Sequence, residues 1–91
     1  MKSLLQKHRE EILQLATKHG ASDVRVFDDS NPDHRNQIGF LVNLEQGRTL
    51  LDQGGLLTDL QNLLNCEVYV FTEKGLKNEY RKRILNQAIY L

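Results

Sequence analysis

Ten consecutive residues without a large apolar side chain, DDSNPDHRNQ at positions 28–37, divide two short apolar runs and restrict what this chain can fold into more than any other feature. Before them stand Val24, Val26 and Phe27; after them stand Ile38, Phe40, Leu41, Val42 and Leu44. Both runs have the β-branched and aromatic composition of buried strands. The segment between them is built from turn formers and charge, so it has to run over the surface, where a small α/β domain keeps its site. Function therefore turns on what this loop and the strand ends beside it can do.

The rest of the chain supplies helices for those strands. Leu4, Leu5, His8, Ile12, Leu15 and Ala16 recur at three- and four-residue spacing with Lys7, Arg9, Glu10, Gln14 and Lys18 opposite, which predicts an amphipathic first helix. Lys18 and His19 suit its negative end, and Gly20 can close it in the left-handed conformation. After a turn at Glu45, Gln46, Gly47 and Arg48, the pair Thr49 and Asp52 has the spacing of a capping box. The second helix it opens runs to about Leu64, with Leu50, Leu51, Leu57, Leu60, Leu63 and Leu64 as its apolar face and Asn65 as its stop. Gly54 and Gly55, costly inside a helix, predict the close approach of another backbone.

A third strand over residues 66–72 carries Val68, Val70 and Phe71, with Glu67 and Tyr69 on the opposite face. Strand, helix and strand from residue 38 to 71 predict a right-handed parallel crossover. A last helix from about Leu76 places Leu76, Tyr80, Ile84, Leu85 and Ala88 on one stripe and leaves Lys77, Arg81, Lys82 and Arg83 towards solvent. A solvated face is preferred there to a nucleic-acid site, because Glu73 and Glu79 lie close and no aromatic residue interleaves the cations. The predicted order is α-β-β-α-β-α: a single α/β (α+β) domain over residues 1–91, with a three-stranded mixed sheet packed with helices.

Composition narrows the partners. Ninety-one residues make one domain, which buries somewhat over about 60% of its unfolded surface, so help from a partner surface is reasonable. Twelve acidic against twelve basic residues disfavour a general nucleic-acid binder. The single cysteine, Cys66, excludes an internal disulfide and suits a small packed thiol better than a reactive one. No run of about 18 apolar residues and no leader pattern is present, so a cytoplasmic protein without a membrane span is expected.

The runs VRVF, IGFLVNLEQGRTLLDQGGLLTDLQNLL and VYVFTEKGLKNEYRKRILNQAIYL, with the segments KHGASDVRVF, GRTLLD, DLQ, TEKGL and RIL, resemble a minimal nucleotidyltransferase (MNT) of the DNA polymerase β superfamily. The resemblance covers nearly the whole chain and implies that superfamily's fold. It also implies a setting: members are often found beside a HEPN-domain protein as toxin–antitoxin pairs, and some transfer AMP to a tyrosine of the toxin. Their chemistry needs divalent ions held by close carboxylates to neutralise the triphosphate. In the family a Gly-Ser turn ends the first strand, Asp-x-Asp stands on the second, and one more carboxylate stands on the third.

This sequence departs from each of those places. Asp28 and Asp29 replace the Gly-Ser pair, and their charge repels a triphosphate. Gln37, Ile38 and Gly39 replace Asp-x-Asp, and Tyr69 stands at the third position. The loop is also about three residues shorter than the family's. A rebuilt metal cluster from Asp28, Asp29, Asp33 and His34 is disfavoured against a solvated loop. His8 and His19 read as surface or partly buried residues, and Ser30 lacks a visible activating base.

The expectation is a degenerate member with no catalytic, cofactor or metal residues, acting as an antitoxin-like subunit on a HEPN-type partner and able to self-associate. The alternative is a magnesium- and ATP-dependent transferase using relocated acids, Asp28, Asp29 and Glu67. A third reading is a module that binds a nucleotide without magnesium and without turnover.

Overall fold

The computed structural model describes residues 2–28 and 38–91. The N-terminal helical region is α1 (Lys2–Lys7) followed by α2 (Arg9–Lys18), interrupted at His8, whose backbone (φ −107°, ψ 16°) leaves the helical region. The predicted single helix is thus two segments, and the ladder continues across the break because the Ile12 N–H donates to the His8 carbonyl at 2.8 Å. Gly20 ends α2 at φ +74°, as its position predicts, and its N–H reaches the Thr17 carbonyl at 3.0 Å.

β1 (Ala21–Asp28) and β2 (Ile38–Leu44) pair antiparallel, with a bulge between Ser22 and Arg25 where Asp23 adopts φ +51°. α3 (Leu50–Leu64) then carries the chain to β3 (Val68–Thr72), which pairs parallel with β2 from Ile38↔Val68 to Val42↔Thr72, as the strand–helix–strand order predicts. The capping box forms: the Leu51 N–H donates to Thr49 Oγ1 at 3.2 Å and the Thr49 N–H to Asp52 Oδ2 at 3.0 Å. Asn65 closes α3 in the left-handed region.

The chain does not finish on a helix. α4 (Asn78–Gln87) is followed by β4 (Ile89–Tyr90), which pairs antiparallel with β1 through Arg25↔Tyr90 and Val26↔Ile89. The sheet therefore has four strands, in the order β3-β2-β1-β4, where three were predicted. Ala88 turns extended (φ −69°, ψ 136°), and the Leu91 N–H donates to the Val24 carbonyl at 3.0 Å, so the last residues complete the open edge of β1. Two residues are too few to show strand periodicity, and Ile84 and Ala88 keep a helical spacing up to that point.

The two faces of the sheet are clothed unequally. One packs Ile38, Phe40, Val42, Val68 and Val70 against Ile12 and Ala16 of α2 and Leu56, Leu60 and Leu64 of α3. The other holds a smaller cluster of Phe27, Leu41, Leu76 and Ile84, with Phe71, Leu85 and Ala88 at its margin. β2 lies between two neighbours and under both faces, so Ile38 to Val42 contains no exposed residue.

The leucine stripe of α3 differs from the prediction. Leu56 is buried, while Leu50 and Leu51 are 83% and 87% exposed, because the inward stripe runs through Leu56, Leu60 and Leu64 and the first turn projects past the core. Nor does another backbone approach the glycine pair. A Cβ on Gly55 would stand 2.8 Å from the imidazole of His19, and one on Gly54 would meet open space. Among the described residues no helix is long and apolar enough to cross a membrane.

Candidate functional site

The strand ends that flank residues 29–37 form one row across the sheet: Phe27 on β1 pairs with Gly39 on β2, and Gly39 pairs with Tyr69 on β3. Gly39 and Tyr69 are two of the positions on which the family resemblance places its metal-binding acids, and Phe27 directly precedes the place of its Gly-Ser turn. At 39 there is no side chain, and the space is filled from the neighbouring strand: a Cβ there would lie 2.5 Å from Cζ of the Phe27 ring. Tyr69 is 38% exposed, and its ring centroid lies 6.2 Å from that of Phe71, which in turn lies 5.8 Å from Phe27. An aromatic row thus occupies this end of the sheet, and Gly39 and Tyr69 offer a divalent ion no carboxylate.

Asp29, Asp33, His34 and Gln37 lie outside the described residues. The backbone of Asp28 pairs with that of Ile38, and the Glu67 carbonyl accepts from the Ile38 N–H at 3.2 Å. Among the described residues no group of three or more His, Cys, Asp and Glu side chains is placed to hold a metal ion.

The next row on this face carries a charge that sequence reasoning missed. Arg25 shares the face of Phe27 and Leu41, and its side chain is only 8% exposed. Its Nη2 donates to Glu73 Oε2 at 3.1 Å, its Nε donates to the Asp23 carbonyl at 2.9 Å, and its guanidinium lies 5.5 Å from the Tyr90 ring centroid. Arg81 of α4 donates to the Glu73 carbonyl at 3.0 Å and lies 3.9 Å from its carboxylate. The Arg25 guanidinium therefore holds the Glu73 carboxyl below the usual range. The available signal was an arginine in alternation with Val24 and Val26, which puts it on the face of Phe27.

A second polar cluster lies on the opposite side, between α2 and α3. His19 Nε2 and Asp59 Oδ2 are 2.7 Å apart, Lys18 Nζ is 3.5 Å from the same oxygen, and the His19 bond lowers the Asp59 pKa. His19 packs over Gly55, so of the two readings the sequence offered it is the partly buried one, an interhelix contact. Its side chain is 16% exposed.

A pocket of about 300 Å³ lies at the far end of the sheet, between Asn43, Gly47, Arg48, Thr72 and Lys74. Arg48 there is engaged by Glu45 at 2.8 Å and Asp52 at 3.2 Å, so its charge is spent on the entry to α3.

Comparison with known proteins agrees with this architecture. No family model matches the chain. A solved structure described as that of a "putative minimal nucleotidyltransferase" is 38% identical in sequence and superposes with a TM-score of 0.79 over 96% of this chain and 92% of that one. The "putative protein adenylyltransferase" of Methanocaldococcus jannaschii is 29% identical over 84 residues, which span 89% of this chain and 90% of that protein. The fold is thus a nucleotidyltransferase fold. The chain belongs to the minimal nucleotidyltransferase family.

Proposed function

We propose that this chain is a minimal nucleotidyltransferase that has kept the scaffold and given up the catalysis, and that its work is to bind a protein partner. The carrying observation is the row Phe27–Gly39–Tyr69, in which an aromatic ring stands where a carboxylate on β2 would project. Transfer from a nucleoside triphosphate without a metal-holding carboxylate pair loses its main source of charge neutralisation. The partner is a HEPN-domain helical protein, and the chain acts on it as an antitoxin-like subunit, with self-association as a further property. The name of the M. jannaschii relative favours a second reading, an active adenylyltransferase that uses Asp28, Asp29 and Glu67 with magnesium and ATP.

Co-purification with a HEPN-domain protein, followed by transfer of label from ATP with magnesium, separates the two. Association without label transfer supports the binding subunit. Label transfer that is lost on replacing Asp28, Asp29 and Glu67 together supports the enzyme and ends the first reading.

A further inference from the structure

α4 is a helix that its own domain hardly uses. Of its ten residues only Ile84 is buried, and eight are exposed. An isolated helix of this length is marginal in water and depends on packing for its stability. Its surface is neither neutral nor plain. Lys74 and Lys77 precede it and Lys82 and Arg83 lie on it, against the single acid Glu79, while Arg81 is engaged by Glu73. Among the described residues no ion pair involves Lys74, Lys77, Lys82 or Arg83; the Arg83 guanidinium lies 5.8 Å over the Tyr80 ring.

The aromatic row of β3 runs into this patch. Phe71 meets Tyr80 edge-on at 6.1 Å, and Tyr69 stands 6.2 Å beyond Phe71. Tyr80 is 43% exposed. Tyr80 stands inside the cationic segment itself, which corrects the expectation that no aromatic residue interleaves those charges, and the strand neighbour Phe71 adds a second ring beside it.

Resting on the binding-subunit reading above, we propose that the exposed margin of α4 that carries Tyr80, flanked one turn away on either side by Lys77 and Arg83, is the surface that receives the partner, and that the partner presents an acidic surface with an apolar seat for the tyrosine. Exposed tyrosine and arginine beside a patch of one charge are what interface centres are made of. A protein fits better than a nucleic acid, because one face of Tyr80 is already covered by Arg83 and the chain as a whole carries no net charge. The lysines steer the encounter and the ring holds the complex.

The test is calorimetric titration of the full chain with a co-expressed HEPN-domain protein at about 50 and about 500 mM salt, with a short oligothymidylate as a second probe. Tyr80→Ala is expected to weaken the protein complex about thirtyfold or more. Lys77→Glu with Arg83→Glu is expected to weaken it about tenfold at low salt and to flatten its salt dependence. Lys7→Glu, on α1, should leave it unchanged, and circular dichroism checks that each variant is folded. If the unaltered chain binds and both α4 variants bind equally well, this surface is not the docking site although the binding reading stands. If the unaltered chain binds neither probe, the binding reading falls and the docking site with it. Tighter binding of the oligothymidylate, or a dimer of this chain lost in the α4 variants, would replace the acidic protein by another occupant and overturn the proposal.

Discussion

The two faces of the sheet were made under different demands. Among the described residues, the face under α2 and α3 joins thirteen buried apolar side chains, from Leu5 to Val70, into one core. Among the described residues, the face under α4 has four buried apolar side chains and fills its remaining space with a buried arginine, a carboxylate and a row of rings. Strand β2 feeds both, Ile38, Phe40 and Val42 to the first and Gly39 and Leu41 to the second. The lesson is one of division of labour: the thick face supplies the folding energy, and the thin face could therefore change its chemistry without unmaking the fold.

The largest expected effect breaks that comparison at its strong side. Phe40→Ala removes a wholly buried ring and should cost about 3–5 kcal/mol, against about 2 kcal/mol for Ile84→Ala on the thin face. Urea unfolding measures both, and equal losses would mean that the faces share the folding energy evenly. Gly39→Asp sharpens the comparison at the row of rings. The new Cβ meets Phe27, so the substitution should lower stability by about 1–3 kcal/mol and restore no magnesium binding. A neutral outcome would show that the ring gives way freely and that the site is not closed.

Thr49→Ala takes away the acceptor at the start of α3 and should cost about 1 kcal/mol in thermal unfolding. The smallest effect is in the acid range. Asp59 is held below its usual pKa by its bond to His19, Asp52 by the Thr49 N–H, and Glu73 by Arg25. A depressed carboxyl stabilises the fold above its ordinary pKa and stops doing so as pH falls through its folded value. The urea midpoint should therefore drop on acidification, and Asp59→Asn and Glu73→Gln should each flatten that drop, one on each face.

Much of the scaffold was legible because short-range rules decided it. Gly20, the Thr49–Asp52 box and Asn65 end or open helices by local hydrogen bonding, and each does so where its residue type predicts. The parallel pairing of β2 and β3 followed from strand–helix–strand order. What was not legible depends on long-range placement. β4 exists because β1 had an open edge, Leu50 and Leu51 are exposed because the core ends before the first turn of α3, and Gly55 is a glycine because His19 lies over it.

The candidate site divides in the same way. That positions 37, 39 and 69, where the resemblance implies acids, hold Gln, Gly and Tyr could be read directly. That Phe27 fills the place of one of them, and that Arg25 is buried one row further along, needed the register of three strands.

The central claim is that the site end of this sheet no longer handles a metal-bound triphosphate. The most direct measurement is calorimetric titration of the full chain with ATP, with and without magnesium. The account predicts no magnesium-dependent heat. Magnesium-dependent binding that disappears when Asp28 and Asp29 are replaced would contradict it, and would mean that the loop had rebuilt what the strands lost.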